Sequence, residues 1–197
     1  VRADAYRSAH GMPLANAVAE VYPLYQEQLV SASAVDFDDL LLHVATLLTD
    51  HPEIRSQLDE QFRYLLVDEY QDTNIAQYTI LRALSHDHPN LAATGDPDQS
   101  IFGWRGANVG NILRFEQDFP NVRVVRLEQN YRSTKSILRV ADHLIRHNQQ
   151  RKHKELFTEN PEGNPVELTC YADGRDEADS IAARIAQEIA NGEGKPS

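Results

Sequence analysis

The stretch "LLVDEYQDTN", residues 65–74, joins an apolar run directly to two carboxylates. The run Leu65–Val67 is typical of a buried strand, and Asp68 and Glu69 follow it without a spacer. Two adjacent carboxylates at the end of a buried strand are costly unless a cation or hydrogen-bond donors meet them there. They either cap a helix that begins near Asn74, the commoner explanation for such a stretch alone, or form part of a binding site.

Short apolar runs and helical patterns alternate along the chain, which predicts an α/β fold with a parallel sheet and helices on both of its faces. The predicted strands are "FRYLLVDE" (62–69), "NLAATGD" (90–96), "VRVVRLE" (122–128) and "VELTCYA" (166–172). The predicted helices lie at 74–85, 108–117, 134–148 and 175–191. Asp36 is the predicted N-cap of a helix in "DFDDLLLHVATLL" (36–48), and Pro23 is predicted to break "PLANAVAEVYPLYQEQLV" (13–30) into two pieces.

The composition is typical of a soluble globular protein of one or two domains, with 197 residues, 41% hydrophobic and 25% charged. The single cysteine, Cys170, excludes an internal disulfide framework and fits a cytoplasmic location. No apolar run approaches the roughly 18 residues of a membrane span. The net charge of −11 argues against a nucleic-acid partner, but residues 103–155 contain 11 Lys or Arg against 5 Asp or Glu. This basic block is either a solvated surface or a site for an anion.

Ligands of a parallel sheet collect outside the carboxyl ends of its strands. Asp68 and Glu69 follow one predicted strand, and Gly95 and Asp96 follow the next. In nucleotide hydrolases, a carboxylate at such a position holds Mg²⁺ while its neighbour positions or deprotonates the attacking water. The pair is therefore a candidate catalytic site.

The stretch "GDPDQSIFGWRGAN" (95–108) is too unusual for a generic turn. Phe102, Trp104 and Arg105 lie within four positions, and glycines bound the segment. Such a loop is a plausible platform on which unstacked bases lie, each stack worth roughly 1–3 kcal/mol. A lone tryptophan more often fills a core, but the flanking glycines argue against this here. Further along, "LEQNYRSTKSIL" (127–138) places Tyr131 and Arg132 between a strand and a helix, suited to a purine and a phosphate. The predicted N-cap of that helix is Ser133 or Thr134.

Together and in this order, these stretches resemble the superfamily 1 DNA helicases of the UvrD/Rep/PcrA type. The segment "VDEYQDTN" (67–74) resembles motif II of that family, "GDPDQSIFGWRGA" (95–107) resembles motif III, and "LEQNYRS" (127–133) resembles motif IV. Two further segments are similar to the family: "DFDDLL" (36–41) and "NQQRKHKELFTENPEG" (148–163). The resemblance extends from about residue 20 to the end of the chain.

The resemblance implies a motor with two RecA-like domains, ATP bound between them, and single-stranded DNA or a duplex junction as its partner. It implies that Asp68 holds Mg²⁺ and that Glu69 activates the attacking water. It also implies that Gln99 senses the γ-phosphate, while Phe102 and Trp104 stack on bases. The domains expected are the end of an inserted helical domain (1–30), the first RecA-like domain (31–126) and the start of the second (127–197).

The same resemblance assigns coupling to Arg105 and Asp96, with Arg105 tying the DNA loop to the catalytic carboxylates. Tyr131 is expected to stack on the adenine, and Arg132 is expected to reach the γ-phosphate as an arginine finger. The implied activity is ATP-dependent DNA unwinding and translocation from 3′ to 5′, in DNA repair or replication, with repair or replication proteins as possible partners.

One departure from the family concerns the phosphate-binding loop G-x-x-x-x-G-K-[ST], which the 197 residues do not contain. The tail "GEGKPS" (192–197) imitates it poorly, with Ile189 in place of the first glycine and Pro196 in place of Ser or Thr. The sequence is therefore interpreted as an internal part of a longer helicase, expected to bind ATP poorly and not to unwind DNA alone. The alternatives are a DNA-binding or interaction remnant without ATPase activity and a subunit of a helicase-nuclease.

Overall fold

The structure is a computed structural model that describes residues 13–119, 121–149, 151–152 and 154–192. The predicted segment 1–30 lies outside the described residues up to position 12, and the tail "GEGKPS" lies outside them from position 193. The chain divides into two compact units. The first comprises the described residues up to Val125 and those between Asn148 and His153; the second comprises Arg126–His147 and the described residues from Lys154 onward.

The first unit begins with three helices: α1 (Pro13–Ser31), α2 (Phe37–Asp50) and α3 (Pro52–Gln61). Asp36 is the N-cap of α2, as predicted, and it forms a capping box in which Asp36 and Asp39 accept each other's backbone N–H. The predicted break at Pro23 is wrong, because α1 continues through it. A proline removes one backbone hydrogen bond, and the helix-favouring residues on both sides keep the rest of α1 helical.

Two short parallel strands follow, β1 (Leu65–Val67) and β2 (Leu91–Ala93), with helix α4 (Ile75–Leu84) between them. Leu65 pairs with Leu91, so both strands end at the same edge. Asn74 begins α4 with a capping box to Gln77, and α2, α3 and α4 pack together. The predicted β–α–β order with parallel strands is therefore confirmed for this part of the chain.

Buried side chains hold the segments that adjoin the two strands. The fully buried carboxylate of Asp59 on α3 accepts the backbone N–H groups of Asp87 and His88 at 2.6 and 3.2 Å, which fixes the loop that leads into β2. Just after β1, the fully buried Tyr70 packs edge-to-face on Phe115, with ring centroids 5.1 Å apart. The buried apolar residues of the first unit are Tyr70, Phe119, and Ala45 and Leu48 on α2, within the described residues.

The remaining helices are short in the first unit and longer in the second. They are α5 (Gly110–Leu113), α6 (Phe115–Asp118), α7 (Lys135–Ile145) and α8 (Gly174–Ala190). Thr134 is the N-cap position of α7, one of the two predicted, and Asp173 caps α8 by accepting the N–H groups of Arg175 and Asp176. In the second unit, Gln129 and Phe157 form an isolated parallel bridge.

Two of the four predicted strands are wrong. Residues 122–128 and 166–172 are not paired into a sheet, and Leu127 and Leu168 are 82% and 92% exposed. An apolar run favours a strand, but the strand forms only where a second segment supplies backbone partners along it. Within the described residues only the end of the first run receives one, where the Glu128 carbonyl accepts the Phe157 N–H at 3.0 Å beside the Gln129 bridge. Likewise Leu66 on β1 is 87% exposed, so helices do not cover both faces of this sheet within the described residues. No helix in the described part of the chain is long and apolar enough to cross a membrane.

Candidate functional site

Asp68 lies immediately after β1, where backbone pairing to the next strand continues past the strand end. The N–H of Thr94 donates to the Val67 carbonyl at 2.8 Å, and the N–H of Tyr70 donates to the Thr94 carbonyl at 2.9 Å. This register brings the Thr94 hydroxyl into a short hydrogen bond with Asp68 Oδ1, which also accepts the N–H of Glu69 at 3.0 Å. These two donors lower the pKa of the Asp68 carboxyl, the Thr94 hydroxyl having the larger effect. Asp68 is therefore an exposed, ionised carboxylate.

Glu69 has a left-handed backbone, with φ +50° and ψ +44°. A side-chain-bearing residue rarely adopts this conformation, and such outliers concentrate at functional sites. The conformation starts a short 3₁₀ turn (Tyr70–Asp72) directly after β1. Glu69 Oε2 accepts a 2.7 Å hydrogen bond from Nε2 of Gln71 within this turn.

Gln71 links the two strand ends, and its side chain is almost fully buried. Its Nε2 donates to Glu69 and, at 3.3 Å, to Asp72, and its Oε1 accepts the backbone N–H of Asp96 at 3.0 Å. Its carbonyl accepts the Ser100 hydroxyl at 3.2 Å. A Cβ added to Gly95 would lie 2.7 Å from Gln71 Oε1, so the glycine is needed for this close approach. Sequence reasoning missed Gln71, although it stands inside the stretch that defines the site.

Asp96 and Gln99 lie just beyond β2 and contact each other. Asp96 Oδ2 accepts a hydrogen bond from Gln99 Nε2 at 2.8 Å, and Asp96 Oδ1 accepts the backbone N–H of Asp98 at 3.0 Å. The Gln99 side chain is exposed. Asp68, Glu69, Asp96 and Gln99 are thus assembled at one edge of the two-stranded sheet.

The aromatic loop after Gln99 is open to solvent. Trp104 is 79% exposed, so the core explanation for the only tryptophan is excluded. The Phe102 and Trp104 ring centroids are 6.4 Å apart, and the Arg105 guanidinium lies 5.3 Å from the centre of the Trp104 ring. Gly106 closes the short turn with φ +83°. The predicted tie from Arg105 to the carboxylates stays a prediction.

The donor set after β1 fits a magnesium ion held largely by other ligands. Asp68 Oδ1 accepts two hydrogen bonds, while Oδ2 accepts none from the described residues. Nowhere in the described chain do three or more His, Cys, Asp or Glu side chains form a cluster that could hold a metal. Mg²⁺ commonly binds one or two carboxylates and takes its other ligands from phosphates and water. Asp68 is suited to that role.

Tyr131 and Arg132 belong to the second unit, between the Gln129 bridge and α7. Tyr131 is 78% exposed, and its hydroxyl donates to the Gln129 side chain at 2.8 Å. Arg132 is also exposed, and no carboxylate in the described part of the chain forms an ion pair with it. Both side chains are therefore accessible to a ligand.

Three groups of side chains are thus exposed to solvent, each within its own unit: the carboxylates at the strand end, the aromatic loop and the Tyr131–Arg132 pair. Models of protein families match both parts of the chain. The model of the UvrD/REP helicase N-terminal domain matches residues 3–120, and the model of the UvrD-like helicase C-terminal domain matches residues 125–195. The chain belongs to the UvrD/REP helicase family.

Two curated relatives that are similar to this chain are named as DNA helicases. The chain is 48% identical over 182 residues to the ATP-dependent DNA helicase PcrA of Leuconostoc citreum, an alignment that covers 92% of this chain and 24% of the relative. It is 45% identical over 174 residues to DNA helicase II of Rickettsia typhi, covering 88% of this chain and 26% of the relative. The chain thus spans about a quarter of the length of these curated relatives.

Proposed function

We propose that this chain supplies part of an ATP-dependent DNA helicase that translocates from 3′ to 5′ on single-stranded DNA, acting in the cytoplasm in DNA repair or replication. The observation that carries the proposal is the hydrogen-bonded link through Gln71, which joins Glu69 after β1 to Asp96 after β2. This link places the carboxylates and the aromatic loop on one continuous framework, as coupling between nucleotide and DNA requires.

The carboxylates would act on the nucleotide. When bound, Mg²⁺ would neutralise phosphate charge, and Asp68 would hold it through its free Oδ2. Glu69 would position the attacking water and take its proton, with Gln71 fixing one carboxylate oxygen. Gln99 would contact the γ-phosphate and, through Asp96, transmit that contact to the aromatic loop.

The aromatic loop would bind DNA mainly by stacking, with an additional contribution from charge. Phe102 and Trp104 present ring faces, and the Arg105 guanidinium adds a positive charge beside the Trp104 ring. Every base has a stackable face, so such a platform tolerates any sequence, as a translocating motor needs.

The second unit would supply the remaining nucleotide contacts. Tyr131 would stack on the base and Arg132 would stabilise charge on the γ-phosphate, because a guanidinium stays ionised and can donate two hydrogen bonds. In this proposal residues 31–126 and 127–197 belong to a first and a second RecA-like domain, preceded by the end of an inserted helical domain (1–30).

The test is DNA-stimulated ATP hydrolysis by the complete protein that contains this chain. Glu69→Gln removes the proposed base with little change in size, and kcat is expected to fall by about 10²–10⁴-fold while ATP still binds. Glu177→Gln, an exposed carboxylate in the first turn of α8, is the matched control and should behave as wild type. Hydrolysis by Glu69→Gln at the wild-type rate would contradict the proposal.

A further inference from the structure

The side chains of Tyr131 and Arg132 contact little of their own unit, so their direction depends on the backbone that carries them. Among the residues that the structure describes, the one hydrogen bond of either side chain is that of the Tyr131 hydroxyl to Gln129. The N–H groups of Arg132 and Ser133 both donate to Asn130 Oδ1, at 3.0 and 2.7 Å. Asn130 therefore fixes the donors of this turn, as expected from an Asx turn.

The carbonyls of the same turn are held by a different residue, Asn160. Its Nδ2 donates to the Tyr131 carbonyl at 3.2 Å and to the Ser133 carbonyl at 3.1 Å. An amide nitrogen carries two hydrogens, so one side chain can make both bonds together. These carbonyls flank Arg132 on either side, and Asn160 thus bridges the residue in the middle.

Asn160 is itself firmly placed by the loop around it. Its backbone N–H donates to the buried Thr158 hydroxyl at 3.1 Å. The next carbonyls, of Pro161 and Glu162, accept the N–H groups of Lys135 and Ser136 at 3.2 and 3.1 Å. These are first-turn donors of α7, whose N-cap makes no side-chain hydrogen bond.

The loop and the start of α7 also fit closely. Gly163 has φ +73°, and a Cβ there would lie 2.6 Å from the Thr134 side chain. The loop "TENPEG" (158–163) is therefore a rigid support for the Tyr131–Arg132 turn rather than a free connection.

We propose that Asn160 is a positioning residue for Tyr131 and Arg132, one that acts through their backbone and touches no ligand. This inference rests on the proposed function, in which those two side chains contact the nucleotide. Loss of the Asn160 amide frees the carbonyls on both sides of Arg132. The guanidinium and the phenol ring then sample more directions, and fewer of these are productive.

The test uses Asn160→Asp in the complete protein, because aspartate keeps the size of asparagine but cannot donate when ionised. With about 1.4 kcal/mol lost from this clamp, kcat/KM for ATP is expected to fall about tenfold. Glu159→Gln, an exposed neighbour in the same loop, is the control and should stay within twofold of wild type.

A second background separates positioning from general damage. If Asn160 acts through Tyr131 and Arg132, the effect of Asn160→Asp should shrink below twofold when both of these residues are already alanine. If Asn160→Asp lowers kcat/KM by the same factor in both backgrounds, the positioning role is overturned. It is also overturned if Arg132→Ala lowers kcat/KM but Asn160→Asp does not. Wild-type activity of Arg132→Ala would instead reject the nucleotide role of Arg132, and the positioning role with it.

Should Asn160→Asp prevent folding, Asn160→Ala removes the same two bonds without a charge. Hydrogen exchange of the 197-residue chain then gives a readout independent of activity. The amides of Arg132 and Ser133 should exchange about tenfold faster in the variant, while those of α8 stay unchanged. Unchanged exchange at Arg132 and Ser133 would overturn the inference.

Discussion

Replacing Gln71 with leucine should loosen both loops that follow the parallel strands while leaving the rest of the chain intact. Leucine fills much of the same buried volume, but it removes the 2.7 Å hydrogen bond to Glu69, the longer 3.3 Å hydrogen bond to Asp72 and the 3.0 Å hydrogen bond from the Asp96 N–H. The Asp96 N–H is part-buried and would lose its acceptor.

The magnitude follows mainly from the bonds to Glu69 and Asp96, because the 3.3 Å bond to Asp72 is long and contributes least. The bond to the Glu69 carboxylate is partly exposed to solvent and is worth about 1.5 kcal/mol, while the neutral bond to Asp96 is worth about 1 kcal/mol. The Asp96 N–H left without an acceptor adds to this cost, and the apolar burial of the leucine side chain offsets part of it. The local free energy of opening should therefore fall by about 2–3 kcal/mol. Each 1.4 kcal/mol is a factor of ten, so amide exchange should accelerate by about 30- to 150-fold.

The assay is hydrogen exchange with mass spectrometry on the 197-residue chain, under conditions where exchange follows the opening equilibrium. Peptides that contain residues 68–72 and 94–100 should show the acceleration, and peptides from α8 should not. Gln57→Leu, at an exposed glutamine on α3, is the matched control and should exchange as wild type. Less than threefold acceleration in Gln71→Leu would refute the claim that this side chain joins the two loops.

Three further predictions test individual contacts. Thr94→Val removes the main donor to Asp68, so the pKa of that carboxyl should rise toward its ordinary value in a carboxyl ¹³C titration. A carboxyl whose pKa is lower in the folded than in the unfolded state stabilises the fold above its unfolded pKa of about 4, and this stabilisation is lost as pH falls through the folded pKa. The stability difference between Thr94→Val and wild type should therefore shrink as pH falls below about 4. Burial raises the pKa of Tyr70 to about 12, and its hydroxyl has no hydrogen-bond partner among the described residues. Tyr70→Phe should therefore leave the stability in urea unchanged or raise it by about 1 kcal/mol. A loss of stability of more than about 1 kcal/mol would show that the hydroxyl has a partner. The raised Tyr70 pKa should also make wild type lose stability above pH 10, an effect absent from Tyr70→Phe. Gly163→Ala should cost about 2–4 kcal/mol from backbone strain and the clash with Thr134, whereas Gly174→Ala, with open space around it, should cost nothing in the same unfolding assay.

Local sequence rules predicted the parts of the fold that depend on neighbours in the chain. Asp36 begins a helix where its capping side chain indicated, and the helix predicted near residue 74 begins there, because both starts depend on capping boxes between residues three positions apart. The strands at 65–67 and 91–93 were also predicted. The segments at 122–128 and 166–172 failed, because pairing depends on a partner that the apolar pattern does not specify.

The candidate site divides in the same way. Asp68, Glu69, Phe102 and Trp104 could be selected from residue type and spacing alone. The bond from Thr94 to Asp68 could not, because it depends on the strand register. Gln71 and Asn160 were missed for a similar reason: each bridges segments that are 25 or more residues apart in the chain. An amide has no charge or periodicity to mark it, and only the folded backbone shows what it binds.

The most direct test of the proposal that the aromatic loop binds single-stranded DNA uses the exposed Trp104, the only tryptophan in the 197 residues. The chain is titrated with oligo-dT at low salt while its fluorescence is followed, and affinities are measured in parallel with a labelled oligonucleotide. We expect saturable quenching that weakens with salt. We also expect an affinity about tenfold lower for Trp104→Ala than for Tyr64→Ala, a substitution of an exposed aromatic residue outside the loop. Equal affinities for these two variants, or binding of the oligonucleotide without any change in Trp104 emission, would contradict the proposal.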